Sequence, residues 1–442
     1  MPKILYPKTF KNLRKISSTS DFSKLYEGFL KDWIMSDISG NIDIGQYGGQ
    51  RGVGTEHLVV ALVDRILQLL DSNTERSAVI AACVDWQAAF DRQDPTLAIN
   101  KFIALGVRPS LIPILVSYLT NRKMKVKYNG EISNQYNLNG GGPQGTLIGQ
   151  IEYLVNSNDN ADCVNPEDRY KYIDDLSVLE LVMMTGILRE YDFYQHVASD
   201  IGIDQVYLPP DSFRTQDTLD RISAWTAQNL MKLNEEKSNY MIFSRTKENF
   251  ATRITLNNVK LERLNVSKIL GIWISEDMSW TRNTREICLK AYARMSLITK
   301  LRYVGVQRND LLEVYILFIR SLLEYCCVLY HSSLTQEDAQ NLERVQKTAL
   351  KVILGESYED YSSALNLLGL QTLDSRRESR CLDFAIKCTK HPLNSRFFPL
   401  QQAPTNYLRQ TEKFVVNFAR TSTYRDSAIP YCQRLLNANF KK

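Results

Sequence analysis

Apolar residues along this chain recur with the period of strands in the front half and of helices in the back half. Every residue from Ala78 to Val84 is apolar and the run ends at Asp85, which is typical of a buried central strand that delivers a carboxylate at its end. Short apolar runs on both sides of Asp174 and Asp175 predict two strands joined in a hairpin with the acids at its tip. From Thr281 onward the pattern is helical almost throughout.

Amphipathic helices are expected around these strands. The first runs from Phe22 to Trp33, and helical spacing assigns to the core an apolar stripe of Phe22, Leu25, Tyr26, Phe29, Leu30 and Trp33. A glycine-rich, irregular loop from Gln46 to Gly54 leads to an apolar helix from Leu58 to Leu70, for which Thr55 is the expected N-cap.

Turn signals divide the remaining front half. Asn129-Gly130 lies between two alternating segments and predicts a type I′ hairpin. A strand is expected from Ile269 to Ser275. In the back half, the helix from Asp338 to Leu354 has an apolar stripe and a basic face, and Gly355 is its expected stop.

Length and composition bound the class of protein. The chain has 442 residues, of which 44% are hydrophobic and 23% charged, so it is globular with two or three domains' worth of sequence. No run of eighteen apolar residues predicts a membrane span, and the first residues do not have the apolar segment of a secretion signal. We therefore expect an intracellular protein whose eight cysteines are reduced, and their spacing and the four histidines argue against a zinc site.

Charge is distributed unevenly along the chain. Residues 281–442 hold 24 Lys+Arg against 15 Asp+Glu, whereas residues 1–280 are slightly acidic. A basic back half is expected of a protein that meets a polyanion, although solvated helix faces give the same sum.

The adjacent acids Asp174 and Asp175 have two readings. Asp is common in surface turns, so the pair alone indicates no chemistry. Two neighbouring carboxylates repel each other unless a cation lies nearby, and their oxygens suit Mg²⁺.

Several motifs, taken in order, resemble those of reverse transcriptases, most closely those of LINE-like retrotransposons without long terminal repeats. The resemblance extends from about Lys8 to Gly355. The motifs are Asp85 with Phe90, Gly142-Pro143-Gln144-Gly145, Tyr172-Ile173-Asp174-Asp175, Asn234 with Lys237, and Leu270-Gly271.

This resemblance implies an α+β right-hand polymerase that carries out RNA-directed DNA synthesis. Fingers and palm would occupy residues 1–280, with an antiparallel palm sheet mainly in 78–95 and 140–280. A helical thumb would follow in 281–355 and a C-terminal helical extension in 356–442. The implied partners are an RNA template, a DNA primer or duplex and deoxynucleoside triphosphates, with no membrane and with protein partners unknown.

The resemblance also implies a metal centre. Asp85 and Asp174 would bind two Mg²⁺ ions, for which Mn²⁺ is a possible substitute, and these ions would stabilise both the attacking and the leaving oxygen. Asp175 would support them and has the weaker claim as a direct ligand. The backbone carbonyl of Trp86 would supply a further oxygen by analogy with the family.

Four residues resemble those that hold the nucleotide in the family. Lys8 and Arg14 would grip its triphosphate, Gln144 would contact the nucleotide or the template, and Phe90 would lie under the sugar and reject a 2′-hydroxyl. Plain core packing is the alternative for Phe90. Lys237 would act near the leaving pyrophosphate as an acid or a charge partner.

A last group would contact primer and template. For the three basic residues in it, a solvated helix face explains the pattern equally well. The group comprises Gly142, Pro143, Gly145, Leu270, Gly271, Arg344, Lys347 and Lys351.

The sequence also departs from the family pattern. It has almost nothing before Lys8, where an endonuclease is usual, and no ribonuclease H constellation after the thumb. We therefore expect the polymerase part of an element, unable to make its own nick and acting in the nucleus or the cytoplasm. A catalytically idle nucleic-acid-binding remnant is the alternative, while Phe90 argues against an RNA-dependent RNA polymerase.

Overall fold

A five-stranded sheet lies at the centre of the protein. The computed structural model describes residues 16–73, 77–183, 206–208, 214–245, 250–401 and 413–440. Lys8 and Arg14 therefore lie outside the described residues. The strands of the chain are β1 Ser77–Val84, β2 Arg122–Met124, β3 Lys127–Tyr128, β4 Glu131–Ile132, β5 Tyr136–Leu138, β6 Arg169–Tyr172, β7 Asp175–Met183, β8 Val206–Leu208, β9 Asn239–Ser244, β10 Phe250–Thr252, β11 Thr255–Leu256, β12 Val259–Lys260, β13 Glu262–Arg263, β14 Val266–Ile269 and β15 Ile272–Ser275.

Helices pack on both faces of this sheet and make up most of the back half. A π-helical turn, Tyr315–Arg320, continues the eighth of them. The α-helices are α1 Asp21–Ile38, α2 Thr55–Ser72, α3 Pro95–Ala104, α4 Ile112–Leu119, α5 Leu147–Asn156, α6 Thr215–Gln228, α7 Thr281–Tyr303, α8 Arg308–Val314, α9 Ser321–Leu323, α10 Cys327–Tyr330, α11 Gln336–Leu354, α12 Tyr361–Leu368, α13 Leu373–Thr389, α14 Ser422–Arg425 and α15 Ala428–Phe440.

The sheet has the order β13-β9-β1-β7-β6, with β1 in the middle. Its long pairings, β1 with β7, β1 with β9 and β6 with β7, are all antiparallel. Because β1 is covered on both faces, it reads as a continuous apolar run rather than an alternating one. The expected buried strand and the expected α+β fold class with an antiparallel sheet are both confirmed.

Alternate residues of each strand enter two different cores. On β1, Val79 and Ala81 face α2 and the back-half helices, while Ile80 and Ala82 pack on the opposite face with Leu219 of α6. A slip of one residue would exchange the side chains of the two faces and disrupt the packing of both cores, which favours this register. The register in turn determines which side chains meet at the end of the sheet.

A third core joins α1, α3, α4 and α5 beside the sheet, and it corrects the expectation for α1. Only Leu30 of the expected stripe is buried; it packs there with Ile34 and Ile38, which lie further along the helix. The helix is therefore rotated relative to the prediction, so the aromatic side of its amphipathic pattern faces outward. The exposed members of the stripe are Phe22, Leu25, Tyr26, Phe29 and Trp33.

The strand expected from Ile269 to Ser275 is also corrected. Leu270 and Gly271 both have positive φ, 45° and 91°, and form the two-residue turn between β14 and β15. Two positive φ angles are what a type I′ hairpin requires. The Asn129-Gly130 turn has the same feature, with φ of 52° and 91°, as its sequence predicts.

No helix in the described part of the chain is both long and apolar enough to cross a membrane. The eight cysteines are free, and five of them are buried.

Below the β6–β7 hairpin lies a buried ion cluster centred on Asp43. Its carboxylate accepts from both Nε and Nη2 of Arg169 at 2.9 Å and lies 2.6 Å from Nζ of Lys171. Lys171, only 2% exposed, also donates to the carbonyls of Ser157 and Asn158. Burial acts to raise the pKa of Asp43, but the hydrogen bonds from Arg169 and the charge of Lys171 leave this pKa below its usual value. Since both cations lie on β6, the cluster anchors the hairpin's first strand.

Asp43→Asn should destabilise the protein severely, because it leaves two cations of β6 without their buried counter-charge. We expect the free energy of unfolding, measured in urea, to fall by about 3–5 kcal/mol. Asp21→Asn is the matched control, since Asp21 pairs with Lys24 at the surface and its loss should cost at most about 1 kcal/mol. Equal effects of the two substitutions would contradict this role for Asp43.

Candidate active site at the end of the central sheet

The pairing of β1 with β7 and the turn before β9 place one acid between a second acid and a lysine. Val84 pairs with Leu176 on one side, so Asp85 is next in register with Asp175. On the other side Cys83 pairs with Asn239, and Lys237 lies in the turn just before that strand, with its Nζ 3.8 Å from Oδ2 of Asp85. Side chains of directly opposed residues lie on the same face of a sheet, about 4.5–5.5 Å apart at Cβ.

Asp174 joins them from the tight turn of the β6–β7 hairpin. Tyr172 pairs with Asp175, which leaves Ile173 and Asp174 as a two-residue turn. Ile173 has φ of 56°, an unfavourable conformation for a β-branched residue. The turn is held from behind by Gly48, where a Cβ would come within 2.5 Å of the Ile173 nitrogen. The expected hairpin with acids at its tip is thus observed, and the glycine-rich loop forms its support.

Asp85 is fixed by the turn that follows α6. The Asn234 amide donates to Oδ2 of Asp85 at 2.9 Å, and the Asn234 N–H donates to the Asp85 carbonyl. The Asp85 N–H donates to the hydroxyl of Ser238. Nζ of Lys237 lies 3.8 Å from Oδ2 of Asp85 and is otherwise exposed. Trp86 is bridged to Leu233, so the backbone beyond Asp85 is held as well.

The carboxylates influence one another's ionisation. Burial and the charges of Asp174 and Asp85 raise the pKa of Asp175 to about 6. Burial also raises the pKa of Asp85, helped by Asp174 and opposed by Lys237 and Asn234. The site therefore disfavours full ionisation unless positive charge is brought to it.

Divalent metal ions are the cofactor that this donor set suits. Aspartate oxygens are hard ligands of the kind Mg²⁺ prefers, and the mutual repulsion of the acids would be relieved by a cation. Among the described residues, however, no three acidic, His or Cys side chains are already grouped as in a metal site. Asp85 in particular is engaged by Asn234 and Lys237, so metal binding requires its side chain to be shared or to turn.

Phe90 stacks on Tyr153, a residue that the sequence did not single out and that feels the charges of the three acids. The rings of Phe90 and Tyr153 stack with centroids 5.0 Å apart. Tyr153 is buried, and burial together with the charges of the three acids holds the pKa of its phenol well above the ordinary value. Phe90 itself is only partly buried, so part of its side chain remains accessible. The only signal for Tyr153 is its position in the helix after the Gly-Pro-Gln-Gly motif.

Residues 140–145 lie next to Phe90, and together with it they form a surface that we call the wall of the site. The Gly142 N–H donates to the Phe90 carbonyl at 2.6 Å, and the Gly141 N–H donates to the Gln93 carbonyl. A Cβ on Gly142 would lie 2.7 Å from the side-chain oxygen of Gln93 and 2.8 Å from a carboxylate oxygen of Glu152, so a larger residue there would have to displace these two side chains. Pro143 is buried, and Gln144 is partly buried with its carbonyl bonded to Ser17.

Beneath this wall lies a buried acid that the sequence analysis also missed. Glu152 is fully buried and faces the amide of Gln93, at 3.1 and 3.2 Å with the amide nitrogen turned toward the carboxyl group. Burial raises the pKa of Glu152 to about 8, opposed by the charge of Arg122. Because an uncharged buried carboxyl is the favoured form at neutral pH, Glu152 supports the wall without adding negative charge beside the acids.

The remaining residues expected to contact primer and template lie in two other places, the β14–β15 turn and α11. The Leu270-Gly271 turn packs against Tyr325, whose hydroxyl donates to the Leu270 carbonyl at 2.8 Å. Arg344, Lys347 and Lys351 are exposed on α11, as a basic face requires. Nζ of Lys347 lies over the ring of Tyr361, and Nζ of Lys351 lies over the ring of Tyr358. No described contact joins this basic face to the carboxylates.

An antiparallel sheet with carboxylates at the end of its central strand and in the neighbouring hairpin is the arrangement that the sequence resemblance leads us to expect. No family model matches the chain. Two curated relatives, both from Drosophila melanogaster, are similar to it: the "Probable RNA-directed DNA polymerase from transposon BS", 27% identical over 286 residues, and that "from transposon X-element", 23% identical over 289 residues. Each match covers 64% of this chain and 29% of the relative. The resemblance to reverse transcriptases of retrotransposons without long terminal repeats is thereby confirmed.

Among solved structures, the chain is similar to telomerase from Candida tropicalis. In complex with a fragment of telomeric RNA, that structure has a TM-score of 0.39 at 11% identity, covering 84% of this chain and 54% of that one. The apo form has a TM-score of 0.37 at 13% identity, covering 85% and 59%.

Glu152→Gln should change how stability depends on pH. The pKa of Glu152 in the folded protein, about 8, exceeds its ordinary value of 4.5, so the wild type loses stability as pH rises through this window. The variant has no proton to lose, and its free energy of unfolding relative to wild type should rise by up to about 1.4 kcal/mol per pH unit. Urea unfolding between about pH 5 and about pH 9 measures this difference.

Glu167→Gln is the control for that experiment, because the Glu167 side chain is largely exposed. Its unfolding should parallel the wild type at every pH. A Glu152→Gln curve that also runs parallel to the wild type would show that Glu152 is ionised in the folded state.

Proposed function

We propose that this protein is an RNA-directed DNA polymerase that adds deoxynucleotides to a primer 3′-hydroxyl. The observation that carries the proposal is the register that places Asp85 beside Asp175, with Asp174 in the adjoining turn. The names of the two curated relatives supply the template and product classes. The division into fingers and palm (1–280), thumb (281–355) and extension (356–442) is part of the same proposal.

Each acid has a separate part in this reaction. Asp85 and Asp174 would hold the divalent ions, and Asp175, whose pKa is raised to about 6, would give supporting charge. Bound Mg²⁺, or Mn²⁺ in its place, would supply Lewis acidity to the attacking hydroxyl and the leaving pyrophosphate. The backbone carbonyl of Trp86 is the further candidate donor.

Lys237 is suited to the leaving group. Its side chain is 72% exposed and its only described ionic partner is Asp85, at 3.8 Å. When Asp85 turns toward a cation, the ammonium of Lys237 is released to face the anionic pyrophosphate. Lys8 and Arg14, which precede the described residues, are assigned to the triphosphate on the resemblance alone.

The wall formed by Phe90 and residues 140–145 would select and align the nucleotide. Tyr153 stacks on Phe90 and restricts the movement of its ring. A 2′-hydroxyl at this face would therefore clash with the ring. Gly142 keeps the wall thin, and Pro143, Gln144 and Gly145 continue it toward the template.

Exposed basic groups extend from this wall and would bind the nucleic-acid backbone. The exposed segment that leads into the β3–β4 hairpin carries basic residues at alternate positions: Lys123 in β2, Lys125 after it and Lys127 in β3. Arg122, at its base, donates to the carbonyls of Gly140 and Gly141, which ties the hairpin to the wall. On the other side, Leu270-Gly271 would contact the primer end, and Arg344, Lys347 and Lys351 would face the duplex.

Primer extension by the purified protein tests the proposed reaction. On an RNA template with deoxynucleotides and Mg²⁺, the wild type should extend the primer, and Asp174→Asn should lower the rate by at least about 10²-fold because a metal ligand is lost. Asn234→Ala, which leaves all three acids in place and adds no charge, separates loss of a ligand from disturbance of the turn around Asp85. Full activity of Asp174→Asn would overturn the metal assignment.

Phe90→Ala should relax the choice of sugar. Removing the ring opens the wall at the 2′ position, so incorporation of ribonucleotides relative to deoxynucleotides should rise by about 10-fold or more. Single-nucleotide extension with each sugar measures the ratio. Tyr136→Ala, which removes an exposed aromatic ring from β5, is the control and should leave the ratio unchanged. An unchanged ratio in Phe90→Ala would assign Phe90 to packing alone.

A further inference from the structure

The segment after residue 356, to which the sequence assigned no chemistry, reaches the support of the Asp174 turn. It packs against α2 through one continuous apolar core that includes Leu67 of α2 and Ile429 of α15. Two sets of polar contacts lie at opposite ends of α2. One holds the extension in place, and the other touches the glycine-rich loop.

The first set lies at the C-terminal end of α2. Asp71, 3% exposed, accepts hydrogen bonds from the backbone N–H groups of Arg420 and Thr421 and from the hydroxyl of Thr421. Burial acts to raise the pKa of Asp71, but these hydrogen bonds leave that pKa below its ordinary value. A buried carboxylate with three donors from one segment fixes the position of that segment.

The second set lies at the N-terminal end of α2, on the glycine-rich loop. Nη2 of Arg396 donates to the hydroxyl of Tyr47 at 2.7 Å. Tyr47 is fully buried, and its ring stacks on that of Tyr170 in β6 with centroids 6.1 Å apart. Nearby, the His391 ring lies 3.1 Å from the carbonyl of Arg51.

The same loop is bound to the strand that leads into the turn. The N–H groups of Tyr47 and Gly48 both donate to the Lys171 carbonyl, and the Lys171 N–H donates to the Gly45 carbonyl. Gly48 touches the Ile173 backbone directly. Arg396 is therefore connected to Asp174 through Tyr47, its neighbour Gly48, and Ile173.

We infer that the C-terminal extension is a positioning element for the active site, and that Arg396 acts through Tyr47 to hold the Asp174 turn. Ile173 has an unfavourable positive φ, which persists only where the surroundings enforce it. The Tyr47 hydroxyl is buried and needs a partner, and the guanidinium of Arg396 provides one from a different part of the chain. This inference rests on the proposed role of Asp174 and adds residues that none of the motifs contains.

The test uses the full chain with Tyr47→Phe, Arg396→Gln and the double variant. Tyr47→Phe keeps the stacked ring and removes only the hydroxyl. We expect kcat for primer extension to fall about 10-fold, with the nucleotide KM little changed and the Mg²⁺ concentration for half-maximal rate increased, because the turn is less well placed. The double variant should be no worse than either single one, since both remove the same hydrogen bond.

Two comparisons separate positioning from stability alone. Arg425→Gln is the matched control, because the described ion pair of Arg425 is with its neighbour Asp426 within the extension, and this variant should keep wild-type kcat. Arg396→Lys retains a donor and should recover part of the lost rate. A lower Tm with unchanged kcat and Mg²⁺ dependence in Tyr47→Phe would reduce the contact to ordinary stability and overturn the inference.

Hydrogen exchange tests the connection without any catalytic readout. Peptides that cover residues 169–176 should exchange faster in Tyr47→Phe and in Arg396→Gln than in the wild type and in Arg425→Gln. If the wild type does not extend primers, the proposed function fails, while hydrogen exchange still tests whether the Arg396–Tyr47 contact holds the Asp174 turn. If primers are extended and exchange is the same in all variants, this positioning role fails and the polymerase assignment stands.

Discussion

The antiparallel pairing of β1 with β7 is the constraint on which the rest of the structure depends. It brings Asp85 into register with Asp175. The two-residue turn of the hairpin, directly before Asp175, adds Asp174. Burial, together with the charges of Asp174 and Asp85, raises the pKa of Asp175 to about 6. Both faces of β1 are packed in apolar cores, so the energy that keeps like charges together comes from the cores on either side.

A second layer of buried polar contacts holds the acids in position. Asn234 and Ser238 fix Asp85 from β9's side of the sheet. The Asp43 cluster anchors β6, and Gly48 supports the strained turn at Ile173. These groups are far apart in sequence and converge on one hairpin, as expected where a site must hold charges that would otherwise separate.

The sequence predicted the parts of this site that depend on local pattern. The apolar run before Asp85 gave a buried strand, and the apolar segments around Asp174 gave a hairpin. It failed for α1, because helical spacing shows that a stripe exists but not which side of the helix meets the core. It also read Leu270-Gly271 as part of a strand, since the left-handed turn depends on the pairing of β14 with β15.

Long-range polar contacts were beyond sequence reasoning for a different reason. Tyr47 and Arg396 are separated by 349 positions. Nothing in either neighbourhood indicates the other, because a single hydrogen bond leaves no periodic signal. Glu152 is similar: its burial, and hence its raised pKa, follows from the packing of α5 against residues 140–145 rather than from its neighbours in the chain.

The most direct test of the central claim is whether the three acids form a divalent-cation site in the absence of substrate. Mg²⁺ that binds only the folded protein must raise its Tm. The Tm of the wild type should rise with Mg²⁺ at a pH above about 7, where Asp175 is ionised, and the Tm of Asp85→Asn and of Asp174→Asn should rise much less. An equal rise in the wild type and both variants, or no rise in any of them, would contradict the account.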